Sequence, residues 1–200
     1  MPSEIILLTG DAEGPHLSSI LHRQNPHLKI VHARDGRELM KACPADGNHA
    51  RRLIAFCTSV IVPVEVLDAV MAPAYNFHPG PPTYPGSYVA SFAIYDGADM
   101  FGATAHEMVA KVDSGPIVGV EWFQIPDGLR FTDLEIKAFD ALVRLFMQLT
   151  PHLAVNDAPI EHLDMGWAGK ATTNKDFERM RAVDGTMSEA EIKRRFRAFG

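Results

Sequence analysis

Short apolar runs alternate with amphipathic stretches along the first half of the chain. "EIILLTG" (Glu4–Gly10) is an apolar run closed by glycine, the pattern of a strand buried in a parallel sheet. "HLSSILHRQ" follows with helical spacing at Leu17, Ile20 and Leu21. "LKIVHA" (Leu28–Ala33) reads as a second strand and "DGRELMKAC" as a short helix. "RLIAFCTSVIV" (Arg52–Val62) reads as a third strand and its exit, and Pro63 is placed to start the helix "PVEVLDAV". "MAPAYNF" returns to a strand. The alternation predicts βαβ units: an open, Rossmann-like α/β fold with a mostly parallel sheet and helices on both faces.

The second half has longer periods. "SYVASFAIYDG" is a helix closed by Gly97, and "MFGATAHEMV" and "PIVGVEWFQI" are strands joined by the turn "AKVDSG". "TDLEIKAFDALVRLFMQLTPHL" predicts a long amphipathic helix, with Thr132 and Glu135 as a capping box and Pro151 at its end. "MSEAEIKRRFRAF" predicts a last helix capped by Ser188 and Glu191, with Ile192, Phe196 and Phe199 turned inward. The polar run between these helices yields no firm element. We therefore expect an α/β domain over residues 1–155 and a C-terminal extension over 156–200 with one helix packing on it.

Composition narrows the class. With 200 residues, 46% of them hydrophobic, the chain can bury a core of its own. A net charge of −6 argues against a nucleic-acid partner, whose footprint is a clustered basic face. Cys43 and Cys57 fit neither a zinc spacing nor a disulfide scaffold, and the scattered histidines offer no H-x-x-x-H or H-E-x-x-H metal motif. No signal peptide or membrane span is read, so a cytoplasmic location is expected.

"NFHPGPPTYPG" (Asn76–Gly86) is too rich in proline and glycine for a helix or central strand. Ligands in open α/β sheets sit beyond the carboxyl ends of the strands, and Asn76 and His78 fall at such an end. Singly, Asn76 is also a turn residue, His78 also a structural histidine, and Asp113 in "VDSG" also a turn aspartate. Together they supply an amide donor for an oxyanion, an imidazole for proton transfer and a carboxylate to orient it. That is the chemistry of acyl transfer to an amine. No G-x-S-x-G nucleophile is present, so direct transfer without a covalent enzyme intermediate is the simpler inference.

"AYNFHPGPPTYPG" followed by "FGATAHEMVAKVDSGPIV" resembles the signature of the formyltransferases that use 10-formyltetrahydrofolate, over roughly Arg52 to Ile125. The resemblance implies that Asn76 holds the formyl oxygen, His78 handles protons and Asp113 orients His78. It implies 10-formyltetrahydrofolate as donor, its pterin gripped largely by backbone along "SVIV" and "VAKVD". The candidates are Ser59, Val60, Ile61, Val109, Ala110, Lys111 and Val112, and buried strand is the plain alternative for "SVIV". Thr104 and His106 match the strand before the aspartate and are read as supports for the trio, His106 equally as a core histidine. Gly80 and Tyr84 leave room for cofactor or substrate in the loop, Tyr84 equally as a packing residue.

The implied partner is a small amine, amino sugar or amino acid. The alternatives are a 10-formyltetrahydrofolate hydrolase, served by the same three residues, and a non-catalytic folate-binding protein. The N-terminal half is shorter than in typical members by roughly one βα unit. "TGDAEGPHL" lacks a glycine-rich phosphate cradle, which counts against a ribonucleotide-phosphate acceptor. With its end at Gly200, the chain is expected to differ from methionyl-tRNA formyltransferases, which continue into a β-barrel. "GPP" resembles the loop of the formyltransferase-like module of a hydrogenase-maturation protein.

Overall fold

A computed structural model describes residues 2–44 and 50–200. The elements run β1 (Glu4–Leu8), α1 (Gly14–Gln24), β2 (Lys29–Ala33), α2 (Gly36–Ala42), β3 (Arg51–Phe56), α3 (Val64–Ala69), β4 (Met71–His78), α4 (Val89–Asp96), β5 (Met100–Glu107) and β6 (Ile117–Gln124). The helices α5 (Phe131–Val155), α6 (Asn174–Arg181) and α7 (Glu189–Phe199) follow. The strands form one six-stranded sheet in the order β2-β1-β3-β4-β5-β6. The first four pair in parallel, as the βαβ alternation requires, and β5 and β6 add an antiparallel hairpin.

Period-two alternation divides the buried residues between the faces. Ile5, Leu7, Ile54, Phe56, Tyr75 and Phe77 pack with Leu17 and Leu21 of α1 and with Leu142, Leu145 and Phe146 of α5. Ile6, Leu8, Leu53 and Ala55 pack on the other face with Leu39 of α2 and Val66 of α3. Each such fully buried side chain contributes about 1.5–3 kcal/mol, so these two clusters hold the sheet. A third cluster joins α4, α7, Phe101 and the start of α5.

Several boundaries differ from the sequence expectation. β3 stops at Phe56 because Cys57 takes φ +46, which breaks the ladder and turns the chain outward. "SVIV" is therefore not buried strand: Ile61 is 67% exposed. α5 begins at Phe131, where the Asp133 carboxylate accepts from the Arg130 amide, so the Thr132–Glu135 box is not the cap. α5 also continues through Pro151 to Val155. Leu153 and Ala154 are fully buried, and the buried Arg52 guanidinium donates to the carbonyls of Leu153 (2.7 Å) and Asn156 (2.6 Å). Those contacts offset the hydrogen bond that proline forfeits.

The C-terminal segment holds α6 as well as α7, where one helix is expected. Thr173 caps α6, and its side chain accepts from Asp176 N. Ser188 caps α7 as expected, but Glu191 turns to Arg195 and Tyr95. Phe199 is buried against Phe92, whereas Phe196 is 58% exposed, contrary to its inward assignment. No described helix is long and apolar enough to cross a membrane.

Candidate active site

Strand register builds the site. Tyr75 and Phe77 turn into the core, so Asn76 and His78 share the opposite face of β4. Across the ladder Asn76 stands against His106 and His78 against Thr104. Asp113 arrives from the β5–β6 turn at φ +44, buried with its carboxylate beside both histidines. His78 Nδ1 lies 3.6 Å from Asp113 Oδ2, and His106 Nε2 lies 3.3 Å from Asp113 Oδ1. Asn76 Nδ2 lies 3.0 Å from His106 Nε2. The Asp113 carboxylate thus lies between His78 and His106, and His106 links it to Asn76.

Backbone carbonyls select the tautomers. His78 Nε2 is 3.0 Å from the Tyr84 carbonyl and His106 Nδ1 is 2.8 Å from the Glu107 carbonyl. A carbonyl only accepts, so each of these nitrogens carries a proton. Neutral His78 therefore keeps a bare Nδ1 beside Asp113. Neutral His106 keeps a bare Nε2, which accepts an N–H from Asn76; in the imidazolium the same nitrogen donates to Asp113.

Burial is the main force on His78 and holds its imidazole below the ordinary 6.5, with the Asp113 charge pulling the other way. Burial alone would raise the Asp113 carboxyl. The hydrogen bond from His106, the charge of His78 and the Gly86 amide outweigh it and leave Asp113 below 3.8. That amide donates to Asp113 Oδ2 at 2.9 Å.

A cavity of about 540 Å³ opens over this cluster. Asn76, His78, His106 and Asp113 line it, as do Ser59, Val60 and Ile61 from the exit of β3 and Val109, Ala110, Lys111 and Val112 from the β5–β6 turn. Thr104, Gly80 and Tyr84 stand outside it. Thr104 Oγ1 donates to the Gly80 carbonyl at 2.7 Å, which pins the loop from behind. The Tyr84 hydroxyl donates to Asp96 at 3.2 Å, and its ring leans on Phe101. The side chain thus packs away from the cavity, and Tyr84 serves the site through its carbonyl.

The remaining wall was not legible in the sequence. Ser87 and Tyr88 face the cavity together with Ala171, Thr172, Thr173 and Asn174 from the segment before α6. That segment runs beside the proline loop through a parallel bridge between Gly86 and Thr172. Ser87 N donates to Thr172 O and Thr172 N to Pro85 O. Tyr88 stacks on Phe177 at 4.0 Å, and its hydroxyl donates to Asn174. The aromatics Trp167 in "MGWAGK" and Phe177 in "NKDFERM" were the signals that this polar run docks on the domain.

The family model "Formyl transferase" matches residues 48–149. Solved structures share the fold. A Mycobacterium tuberculosis protein considered a sugar N-formyltransferase is 20% identical with a TM-score of 0.79, over 100% of this chain and 88% of its own. A Helicobacter canadensis N-formyltransferase, solved with folinic acid and dTDP-3-aminofucose, is 15% identical with a TM-score of 0.75, over 100% of this chain and 81% of its own. HypX from Aquifex aeolicus, solved with tetrahydrofolic acid, is 17% identical with a TM-score of 0.71, over 99% of this chain and 34% of its own. The last comparison places the whole chain on one part of a longer protein. With the family model spanning just over half of the 200 residues, this chain belongs to the formyl transferase family.

Proposed function

We propose that this chain transfers a formyl group from 10-formyltetrahydrofolate to a small amine, with an amino sugar as the favoured acceptor. The observation that carries the reading is the Asn76–His106–Asp113–His78 cluster at the floor of a cavity walled by the "SVIV" and "VAKV" segments. Folate ligands and an aminofucose nucleotide in structures of the same fold support donor and acceptor classes. Ser59–Ile61 and Val109–Val112 would hold the donor's ring system, whose formyl group is the carbon to be moved.

The residues have distinct tasks. The acceptor nitrogen attacks the formyl carbon, and a C–N bond forms as the carbonyl becomes an oxyanion. Asn76 donates one N–H to His106 and keeps the second for that oxyanion. His78 Nδ1, bare because Nε2 is committed to Tyr84, takes the proton lost by the amine. Asp113 stabilises the imidazolium so formed. The oxyanion then collapses, the bond to N10 of the donor breaks, and His78 returns the proton to that nitrogen. Depression of the His78 pKa keeps it neutral, and so competent as a base, at neutral pH.

The test is incubation with 10-formyltetrahydrofolate, alone and with a panel of amino sugars and amino acids. Tetrahydrofolate should appear in step with a formylated amine. Formate released without any amine, or no turnover with every amine, would overturn the reading.

A further inference from the structure

Trp167 has no part in the reaction described above, yet it touches two of the site's rings. Its indole meets His106 edge to face, 5.0 Å between centroids at 89°, and His78 at 5.6 Å and 72°. It does not line the cavity. The imidazoles therefore present one side to the cavity and another to the indole. The indole is itself held in place. Nε1 donates to the Gly115 carbonyl at 2.9 Å, and the next residue, Ala168, donates its amide to the Pro82 carbonyl at 2.8 Å. Leu163 N is bonded to Ile117 O at 2.8 Å, so this stretch is tied to β6 on one side and to the proline loop on the other.

We propose that Trp167 is a positioning residue for formyl transfer: its indole seals the rear of the His78–His106 pair against water and fixes the planes of both rings. The inference rests on the proposed function for its catalytic meaning, but not for its physical content. Edge-on aromatic contacts favour one mutual orientation, and two at once leave the indole little freedom. The residues around it are exposed, from Glu161 to Gly166 and from Ala168 to Ala171, yet His78 is 5% and His106 2% exposed. What this strip lays against both rings is a neutral indole.

Water admitted behind His78 would solvate its imidazolium, and burial is the leading cause of that ring's low affinity for a proton. The titratable groups facing His78 are Asp113 from the β5–β6 turn and His106 from β5. From the loop it meets the Tyr84 carbonyl and the uncharged Gly80, and from the segment that carries Trp167 the uncharged indole. Removing the indole therefore alters hydration without altering any charge at the site.

The experiment is an NMR titration of the His78 ring protons in the full chain, wild type against Trp167→Ala and Trp167→Phe. Trp167→Ala should raise the midpoint by about half a pH unit or more, and Trp167→Phe should restore the wild-type midpoint. The acid limb of kcat should move in the same direction with KM little changed. Coincident midpoints for wild type and Trp167→Ala would overturn the proposal. If Trp167→Ala does not fold, the wild type decides by nuclear Overhauser contacts. Indole protons should reach both imidazoles, and a wild type that lacks these contacts would overturn the proposal. A wild type that shows the expected titration but no formyl transfer would refute the proposed function and leave Trp167's role as a seal intact.

Discussion

The proline loop (residues 79–88) and the strap that crosses it (163–174) are both irregular, yet they are held in opposite ways. The loop is stiff by covalent geometry, since each proline fixes its own φ. It is also partly buried, with Gly80, Pro81, Pro82 and Pro85 in the interior. The strap is largely exposed and owes nothing to composition. What joins them is hydrogen-bond accounting. A proline offers a carbonyl but no N–H, so a buried proline loop holds acceptors that it cannot satisfy from within. The strap supplies the donors, Ala168 N to Pro82 O and Thr172 N to Pro85 O. Stiffness keeps the loop in one shape, and the borrowed donors place that shape against Asp113 and His78.

The comparison can be broken at either side. The largest effect is expected where the loop meets the chemistry. His78→Ala should lower kcat by about 10²–10⁴-fold, and Asn76→Ala by about 10²–10³-fold, with folate binding retained in both. Steady-state kinetics beside a binding titration checks this, and wild-type rates in either variant would remove the residue from the mechanism.

Next is the seam. Gly86 has φ +98, and a Cβ there would run into the backbone of Thr172. Gly86→Ala should cost about 1–3 kcal/mol in urea denaturation and lower activity as well, because the Gly86 amide also anchors Asp113. A variant as stable and active as wild type would mean that loop and strap need not be so close. Smaller again is Thr172→Val, which deletes the hydroxyl donated to Ser87 O at 2.6 Å. About 0.5–1.5 kcal/mol should be lost, and no loss would show that water replaces the bond freely.

The subtlest readout is pH. His78 is held below its ordinary 6.5 in the folded chain by burial, against the pull of Asp113. Below that pH the unfolded chain binds a proton that the folded chain refuses, so stability should fall as pH drops through this range. Asp113 acts further down: its folded carboxyl lies below 3.8, so its stabilising share persists to lower pH and is lost only on stronger acidification. Urea midpoints measured across the weakly acidic range should decline in the wild type and decline less in His78→Asn. Parallel declines would assign the effect to other groups.

Much of this was legible because it is local. Short apolar runs alternating with amphipathic stretches declared the βαβ half, and glycine and proline marked the loop at its end. The backbone segments that the resemblance marked as donor-binding candidates all reach one cavity. Other features were decided by tertiary contacts rather than local preference. Pro151 did not end α5, because Arg52, distant in sequence, supplies donors to the carbonyls of the helix end. Tyr84 read equally as a residue of the site or of the packing, and distant partners settled it, since its side chain reaches Asp96 and Phe101.

The sequence by itself determined the parallel βαβ half, the place of the loop and the identity of the polar residues at its mouth. These follow from periodicity and backbone restriction, which act over a few residues. Only the tertiary structure decided that one carboxylate serves two histidines, that His78 offers Nδ1 rather than Nε2, and that an exposed polar strap carries the indole behind them. Those choices depend on which carbonyl, amide or ring arrives from far along the chain, and no local pattern encodes a partner many residues away.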